Sequence, residues 1–347
     1  MGKRRFLCLL FLSACCLLHM QAQWNAPFSH YWMAKGYYNP SFAGEGSQIR
    51  ATVLYRYQWT GIKNAPQRML ITGDMPFLFH NRLHAAGVVA YYDVSGTFRN
   101  SLLAAQYCLR QPAGKGFLNI GLQAGVYNLA FDPGSISITG DHTQQDMRGT
   151  VEVYRASGKV FDLNAGISWI GDNSFAGISA MHTGRPRFSV FSDSITGNTP
   201  IASNTASITD ASPGNTNYND LQPNSTDSFV PRSYIFIAGC NIRLFYPLEI
   251  KPIVLLETEP GDTQVLTTIR LEYDKKYSGG ISWRKGDGYA IFTGANLEDL
   301  EFGYACSFHS KGMGKDSRGS HELYLRYNIS SCIFKSARQP HKSIRLL

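Results

Sequence analysis

The sequence predicts an all-β protein: an antiparallel transmembrane β-barrel of about 14 strands, with an N-terminal periplasmic or plug-like segment and long extracellular loops. Three observations carry that expectation. The chain opens with an export signal, yet no later apolar stretch is long enough for a membrane helix. Most of its length alternates between apolar and polar residues with a period of two. Finally, the longest connections between alternating segments all follow odd-numbered strands.

The first 22 residues set Lys3, Arg4 and Arg5 ahead of an apolar run from Phe6 to Leu18 and end in small or polar residues, the make-up of a secretory signal peptide. Cleavage near Ala22 is the expectation. Leu12-Ser13-Ala14-Cys15 also resembles a lipoprotein cleavage site, which would leave Cys15 acylated. No later stretch reaches the ~18–20 apolar residues that a spanning helix requires. Residues 23–47 follow as an aromatic segment, FSHYWMAKGYYNPSFAG at 28–44, with neither helical nor strand periodicity. Its Asn39-Pro40 favours a turn, and Gly44 lets the backbone swing into the first strand.

Residues 48–329 form the expected barrel. In FLNIGLQAGVYNL, Leu118, Ile120, Leu122, Ala124 and Val126 share one face, while Asn119, Gly121, Gln123 and Gly125 share the other. The same rule places strands near 48–58, 66–75, 83–93, 97–110, 117–129, 161–170, 174–182, 231–245, 249–258, 264–273, 277–284, 288–296, 300–308 and 320–329. Segments 66–75 and 249–258 alternate only faintly. Several strands reach or exceed ten residues, close to the ~9–11 needed to cross a bilayer at a tilt.

Connection length tests this reading independently. With both barrel termini in the periplasm, odd-numbered hairpins open outside and tolerate length, while even-numbered ones stay short. The longest gaps, near 130–160, 183–230 and 309–319, follow strands five, seven and thirteen. The even connections at 171–173, 246–248, 274–276 and 297–299 are tight, and those at 76–82 and 111–116 are modest. A secreted β-sandwich with a dry core is the rival architecture, but it has no reason to sort loops by parity. In a barrel the polar, Gly-rich faces point inward and carry Arg56, Arg270 and Arg326, because an arginine on the lipid face near the midplane costs roughly 2–4 kcal/mol.

Composition limits the function. Aromatics at 13% and 33 glycines beside only 17% charged residues suit a turn-rich β protein with many interfacial rings. The net charge of +8 lies partly at the two ends and accompanies no basic groove interleaved with stacking aromatics, which argues against nucleic acid. The Ser/Thr/Asn-rich loop Ser194–Ser228 reads as a solvated outer spacer, with contact to a partner or glycan as the functional alternative. The tail 330–347, with Lys335, Arg338, Lys342 and Arg345, reads as a solvated basic end, with headgroups or a periplasmic protein as the alternative contact. Cys108, Cys240, Cys306 and Cys332 are far apart and lack metal-ligand spacing. No HExxH, GxSxG or P-loop occurs. His309 and His321 flank a loop near Glu322 without metal-ligand spacing, so no catalytic residue, metal or cofactor is expected and the chain reads as a non-enzyme.

Three clusters stand out. The first is Phe28, Tyr31, Asn39, Pro40, Phe42 and Gly44 in the aromatic segment. The second is Tyr55-Arg56-Tyr57-Gln58-Trp59, whose rings are expected on the lipid side of an interfacial belt, with Arg56 and Gln58 inward. The third is Ser320-His321-Glu322 at the start of the last strand. Each reads first as barrel architecture: a turn, a girdle and a strand start.

Taken in order, these clusters resemble the PorP/SprF family of the type IX secretion system of Bacteroidetes. Phe28-Ser29-His30-Tyr31 and Asn39-Pro40-Ser41-Phe42-Ala43-Gly44 match its opening pattern, with His30 where a polar Gln is common. Tyr55-Arg56-Tyr57-Gln58-Trp59 with Gly61 and Ala65-Pro66, then Asp93-Val94-Ser95-Gly96, then Gly319-Ser320-His321-Glu322 match the rest. The resemblance implies a bacterial outer-membrane barrel that helps secretion or surface retention of cargo such as adhesins, in some members with gliding motility. It implies periplasmic ring or peptidoglycan-linked lipoproteins and a secreted surface protein as partners, with the motif residues as candidate contacts. The alternative is a transport barrel for a hydrophobic or small solute, which needs an apolar lumenal pocket; the inward faces read as largely Gly, Asn, Ser, Gln and charged. Residues 24–47 are then expected to form an ordered element in the periplasmic mouth or lumen.

Overall fold

The computed structural model describes residues 27–46, 48–131, 151–188, 190–195 and 228–329. The predicted signal peptide, nearly all of the Ser194–Ser228 loop and the basic tail lie outside the described residues. Among the described residues no helix is long and apolar enough to cross a membrane.

Strands β1 (Ile49–Tyr57), β2 (Gln67–Phe79), β3 (Arg82–Ser95), β4 (Phe98–Ala113), β5 (Gly116–Phe131), β6 (Val151–Ile170) and β7 (Ser174–Met181) follow one another as neighbours. Three short strands come next: β8 (Arg187–Phe188), β9 (Val190–Ile195) and β10 (Ser228–Phe229). The second half comprises β11 (Ser233–Cys240), β12 (Ile242–Phe245), β13 (Leu248–Glu259), β14 (Asp262–Tyr273), β15 (Tyr277–Arg284), β16 (Gly288–Leu297), β17 (Leu300–His309) and β18 (Ser320–Ile329).

Fourteen of these strands close a ring. β7 pairs β11, β11 pairs β13, and β18 returns to β1 in the antiparallel register Tyr57↔His321 to Ile49↔Ile329. Closure matters because an open edge in hydrocarbon would leave unpaired amides at several kcal/mol each. The ring rules out the sandwich. The predicted strand at 231–245 is broken at Asn241: β12 continues the line of β11 and pairs only β13, with a register shift between Arg243 and Phe245. β9 lies against the first residues of β6, and β8 pairs β10.

The even connections are tighter than the sequence indicates. β2 and β3 extend until only His80 and Asn81 remain, with φ of 48° and 57°; two consecutive positive φ values suit the hairpin turn whose twist matches the strands. Only Gly114 and Lys115 separate β4 from β5. β6 begins at Val151, well before the expected 161, and pairs β5 up to Phe131↔Ala156. The wall therefore rises higher on that side.

Outward positions carry the apolar residues, such as Leu103, Leu122 and Phe161, while Arg56, Arg270 and Arg326 are buried inside. One inward band departs from the polar expectation. Leu54, Leu70, Val89, Ile237, Leu255, Leu266 and Phe292 face the lumen and are buried. They form a dry core around residues 27–46.

Candidate functional site

The aromatic segment spans the interior. Tyr31–Ala34 and Pro40–Phe42 are single 3-10 turns, and Lys35–Tyr38 is one α turn. These turns cannot stand alone, because so few residues do not repay helix nucleation; the surrounding wall holds them. Tyr31 Oη donates to Thr268 Oγ1 (3.1 Å) and the Ile253 carbonyl (3.2 Å) on β14 and β13. Across the lumen, Asn39 Nδ2 donates to the carbonyls of Ile167 (3.3 Å) and Ile178 (3.1 Å) on β6 and β7. Gln106 Nε2 donates to the Gly36 carbonyl at 2.7 Å.

The Asn39-Pro40 motif has a local cause. The Asn39 carboxamide oxygen accepts from Ser41 N (3.0 Å) and Ser41 Oγ (2.7 Å), capping the turn that Pro40 starts. Backbone contact is so close here that a Cβ on Gly121 would collide with Pro40 and Ser41. Gly44 has φ of 65°, and a Cβ on it would strike Ala85. Only glycine meets both conditions at low strain. Beyond it, Gly44 N donates to Asp74 Oδ1 (2.9 Å) and Arg110 Nη1 to the Gly44 carbonyl (2.8 Å). Both contacts lie at the periplasmic ends of β2 and β4.

Rings and charges fill the rest. Trp32 packs on Phe292 with centroids 4.8 Å apart, and Phe42 meets Phe175 edge-on at 5.6 Å. The Lys35 ammonium pairs Glu45 at 2.7 Å and sits 4.2 Å from the Phe175 ring centroid. Burial pushes this ammonium down, with Glu45 opposing the shift.

The densest node is Glu322 on β18. Its carboxylate accepts from Ser29 N (2.7 Å) and His30 N (2.7 Å), and lies 2.8 Å from His30 Nδ1. Arg56 on β1 stands 4.0 Å from that carboxylate and donates to the Pro27 carbonyl (2.8 Å), which also accepts from Arg284 (2.7 Å). Arg326 Nη2 donates to the Met33 carbonyl. Both strands of the closing seam therefore grip the N-terminal segment.

The structure brings together most of the sequence-marked residues. Phe28, Tyr31, Asn39, Pro40, Phe42 and Gly44 lie in the lumenal segment, and Arg56, Gln58, Ser320 and Glu322 point inward beside it or above it. Tyr55 faces lipid, 40% exposed, and His321 faces outward with Nδ1 2.5 Å from Tyr304 Oη. Trp59 departs from the expected girdle. Its backbone turns left-handed (φ 54°) and its ring packs near His309, 6.3 Å between centroids, under the loop before β18. The strand has ended, so alternation no longer sets its direction.

Sequence reasoning missed one constellation. Asp287 Oδ1 lies 2.6 Å from His309 Nδ1, and His309 Nε2 lies 2.6 Å from Ser320 Oγ. The connectivity is that of a Ser-His-Asp triad, from residues on three different strands and turns. Ser320 is 1% exposed, and its Oγ also accepts from Trp59 N at 3.0 Å, so the array ties the loop at Trp59 to the tops of β17 and β18. Burial pushes the Asp287 carboxyl up, yet the His309 hydrogen bond and the charges of Arg284, His309 and Arg56 hold it below the usual carboxylate range. Among the described residues no His, Cys, Asp and Glu group could hold a metal ion.

Residues 20–327 match the family model described as "Type IX secretion system membrane protein PorP/SprF". The chain belongs to this family. Family and closed ring together place this PorP/SprF barrel in the bacterial outer membrane. No curated protein matches it. Among solved structures it is similar to the toluene transporter TbuX of Ralstonia pickettii, with 10% identity and a TM-score of 0.46 over 86% of this chain and 93% of that one. It is also similar to the Pseudomonas putida toluene transporter TodX (9%, 0.46, 88% and 94%) and to the translocator domain of the autotransporter NalP from Neisseria meningitidis (10%, 0.37, 82% and 89%).

Proposed function

We propose that this PorP/SprF barrel works as a non-enzymatic anchoring and assembly element of the type IX secretion system, helping the secretion or surface retention of cargo such as adhesins. The observation that supports this reading is the filled lumen. Residues 27–46 bond to walls on opposite sides, and three cavities beside them measure about 20–30 Å³ each. A barrel sealed by its own chain offers two faces to other proteins rather than a path between compartments. Its partners are then periplasmic ring or peptidoglycan-linked lipoproteins on the inner rim and a secreted surface protein outside. Passage of a hydrophobic or small solute would first require removal of the segment. Affinity purification from the native envelope, followed by identification of co-purifying proteins, tests the reading. Recovery of secretion-system lipoproteins and a surface protein supports it; a barrel recovered without either overturns it.

A further inference from the structure

We propose that the outer vestibule of the lumen carries a binding site for an organic cation, either a lysine- or arginine-type head group or a small alkylammonium ion, between tyrosine rings and the carboxylate of Glu257. A cavity above residues 27–46 is walled by Phe28, Tyr37, Tyr38, Tyr91, Tyr127 and Glu257, with His182 at its margin. The strand directions put it outside. Tyr91 is near the end of β3, Tyr127 near the end of β5 and Glu257 near the end of β13, and all three strands run outward.

The rings are fixed by one another. Tyr37 stacks on Tyr91 at 5.4 Å and meets Tyr38 edge-on at 5.0 Å, while Tyr127 meets His182 at 5.6 Å. Tyr38 Oη is held by Phe28 N at 3.0 Å. Against this wall Glu257 is 5% exposed, and no described residue makes a hydrogen bond or ion pair with its carboxylate. The two arginines whose charge reaches it are engaged elsewhere: Arg68 with Asp93 at 3.1 Å, Arg284 with Asp287 at 2.7 Å and with the Pro27 carbonyl at 2.7 Å. His182 Nδ1 lies 3.1 Å from Asp162 Oδ1.

A carboxyl buried without a cation keeps its proton; a cation seated against it takes that proton's place, and the aromatic rings lining the cavity favour positive charge. The chemistry thus selects a cation. Size selects a small one: the cavity holds about 30 Å³, room for roughly two waters or one head group, far below the ~300–1,000 Å³ of a drug-sized ligand site. The site stands on the barrel's outward direction and not on the secretion role, so it can fail while co-purification succeeds.

The test is calorimetric titration of the folded chain in detergent with choline, N-acetyl-lysine amide and N-acetyl-arginine amide. Their neutral counterparts, 3,3-dimethylbutanol and N-acetyl-norleucine amide, serve as controls. Expected are saturable binding of at least one cation, about tenfold weaker binding of its neutral counterpart, and about tenfold loss in Glu257→Gln. Choline binding alone assigns the site to a free ammonium ion; binding of the amino-acid amides assigns it to a protein side chain. Tyr37→Leu lies on the lumenal segment and not on a barrel strand, so it gives a several-fold loss even where a strand variant fails to fold. Equal binding of neutral counterparts, undiminished binding in both variants, or no saturation by any of the cations overturns the proposal.

Discussion

Adjacent residues of β5 show two regimes. Leu122 faces lipid with 58% of its surface exposed, while Gln123 is 1% exposed and accepts from Gln106 Nε2 at 2.6 Å inside the barrel. The outer face repeats one requirement, apolar contact with hydrocarbon, and many residues satisfy it equally. The inner face must fit one particular segment, so its residues act in named pairs. Outward, the strands match a solvent; inward, they match a partner that is part of the same chain.

Deleting residues 27–46 breaks this comparison most strongly. The parent is expected to be silent in planar bilayers and the deletion variant to pass steady current, with heat-dependent gel migration confirming that each is folded. Glu322→Leu comes next. It strands two backbone amides, the His30 ring and Arg56, and removing one partner of such a buried cluster costs about 3–5 kcal/mol, read as a lowered denaturant midpoint. Leu122→Arg probes the opposite face at mid-strand and is expected to lose about 2–4 kcal/mol, whereas Leu122→Ile stays near the parent. Gly121→Ala pushes a methyl into Pro40 and Ser41; overpacking of this kind costs about 1–3 kcal/mol and is expected to expose the lumenal segment to protease without dissolving the barrel. Lys276→Ala, on an exposed turn, is expected to change stability by less than about 0.5 kcal/mol. If Gly121→Ala proves as harmless as Lys276→Ala, the inner face is less selective than its contacts imply.

Much of the outer face was legible, because period-two alternation is a direct record of two-sided strands. It fades where both sides are apolar. On β13, Ile250, Val254 and Leu256 point out while Ile253 and Leu255 point into the dry core, which is why 249–258 alternates faintly. Leu70 blurs β2 in the same way. The aromatic segment announced itself by composition and by Asn39-Pro40, yet its partners were invisible: Tyr31 and Thr268, or His30 and Glu322, meet only after the ring closes. The Asp287–His309–Ser320 array likewise joins residues that no sequence spacing connects. Alternation also stops at strand ends, so the direction of Trp59 had to come from the loop it enters.

The grip of Glu322 and Arg326 on residues 29–33 has a consequence for biogenesis. These two side chains are among the last that the ribosome adds to the barrel, and they hold nearly the first residues of the described chain. A polypeptide cut short before β18 would lack both the closing strand and the hooks that retain the stopper. Closing of the wall and seating of the segment thereby depend on the same last strand.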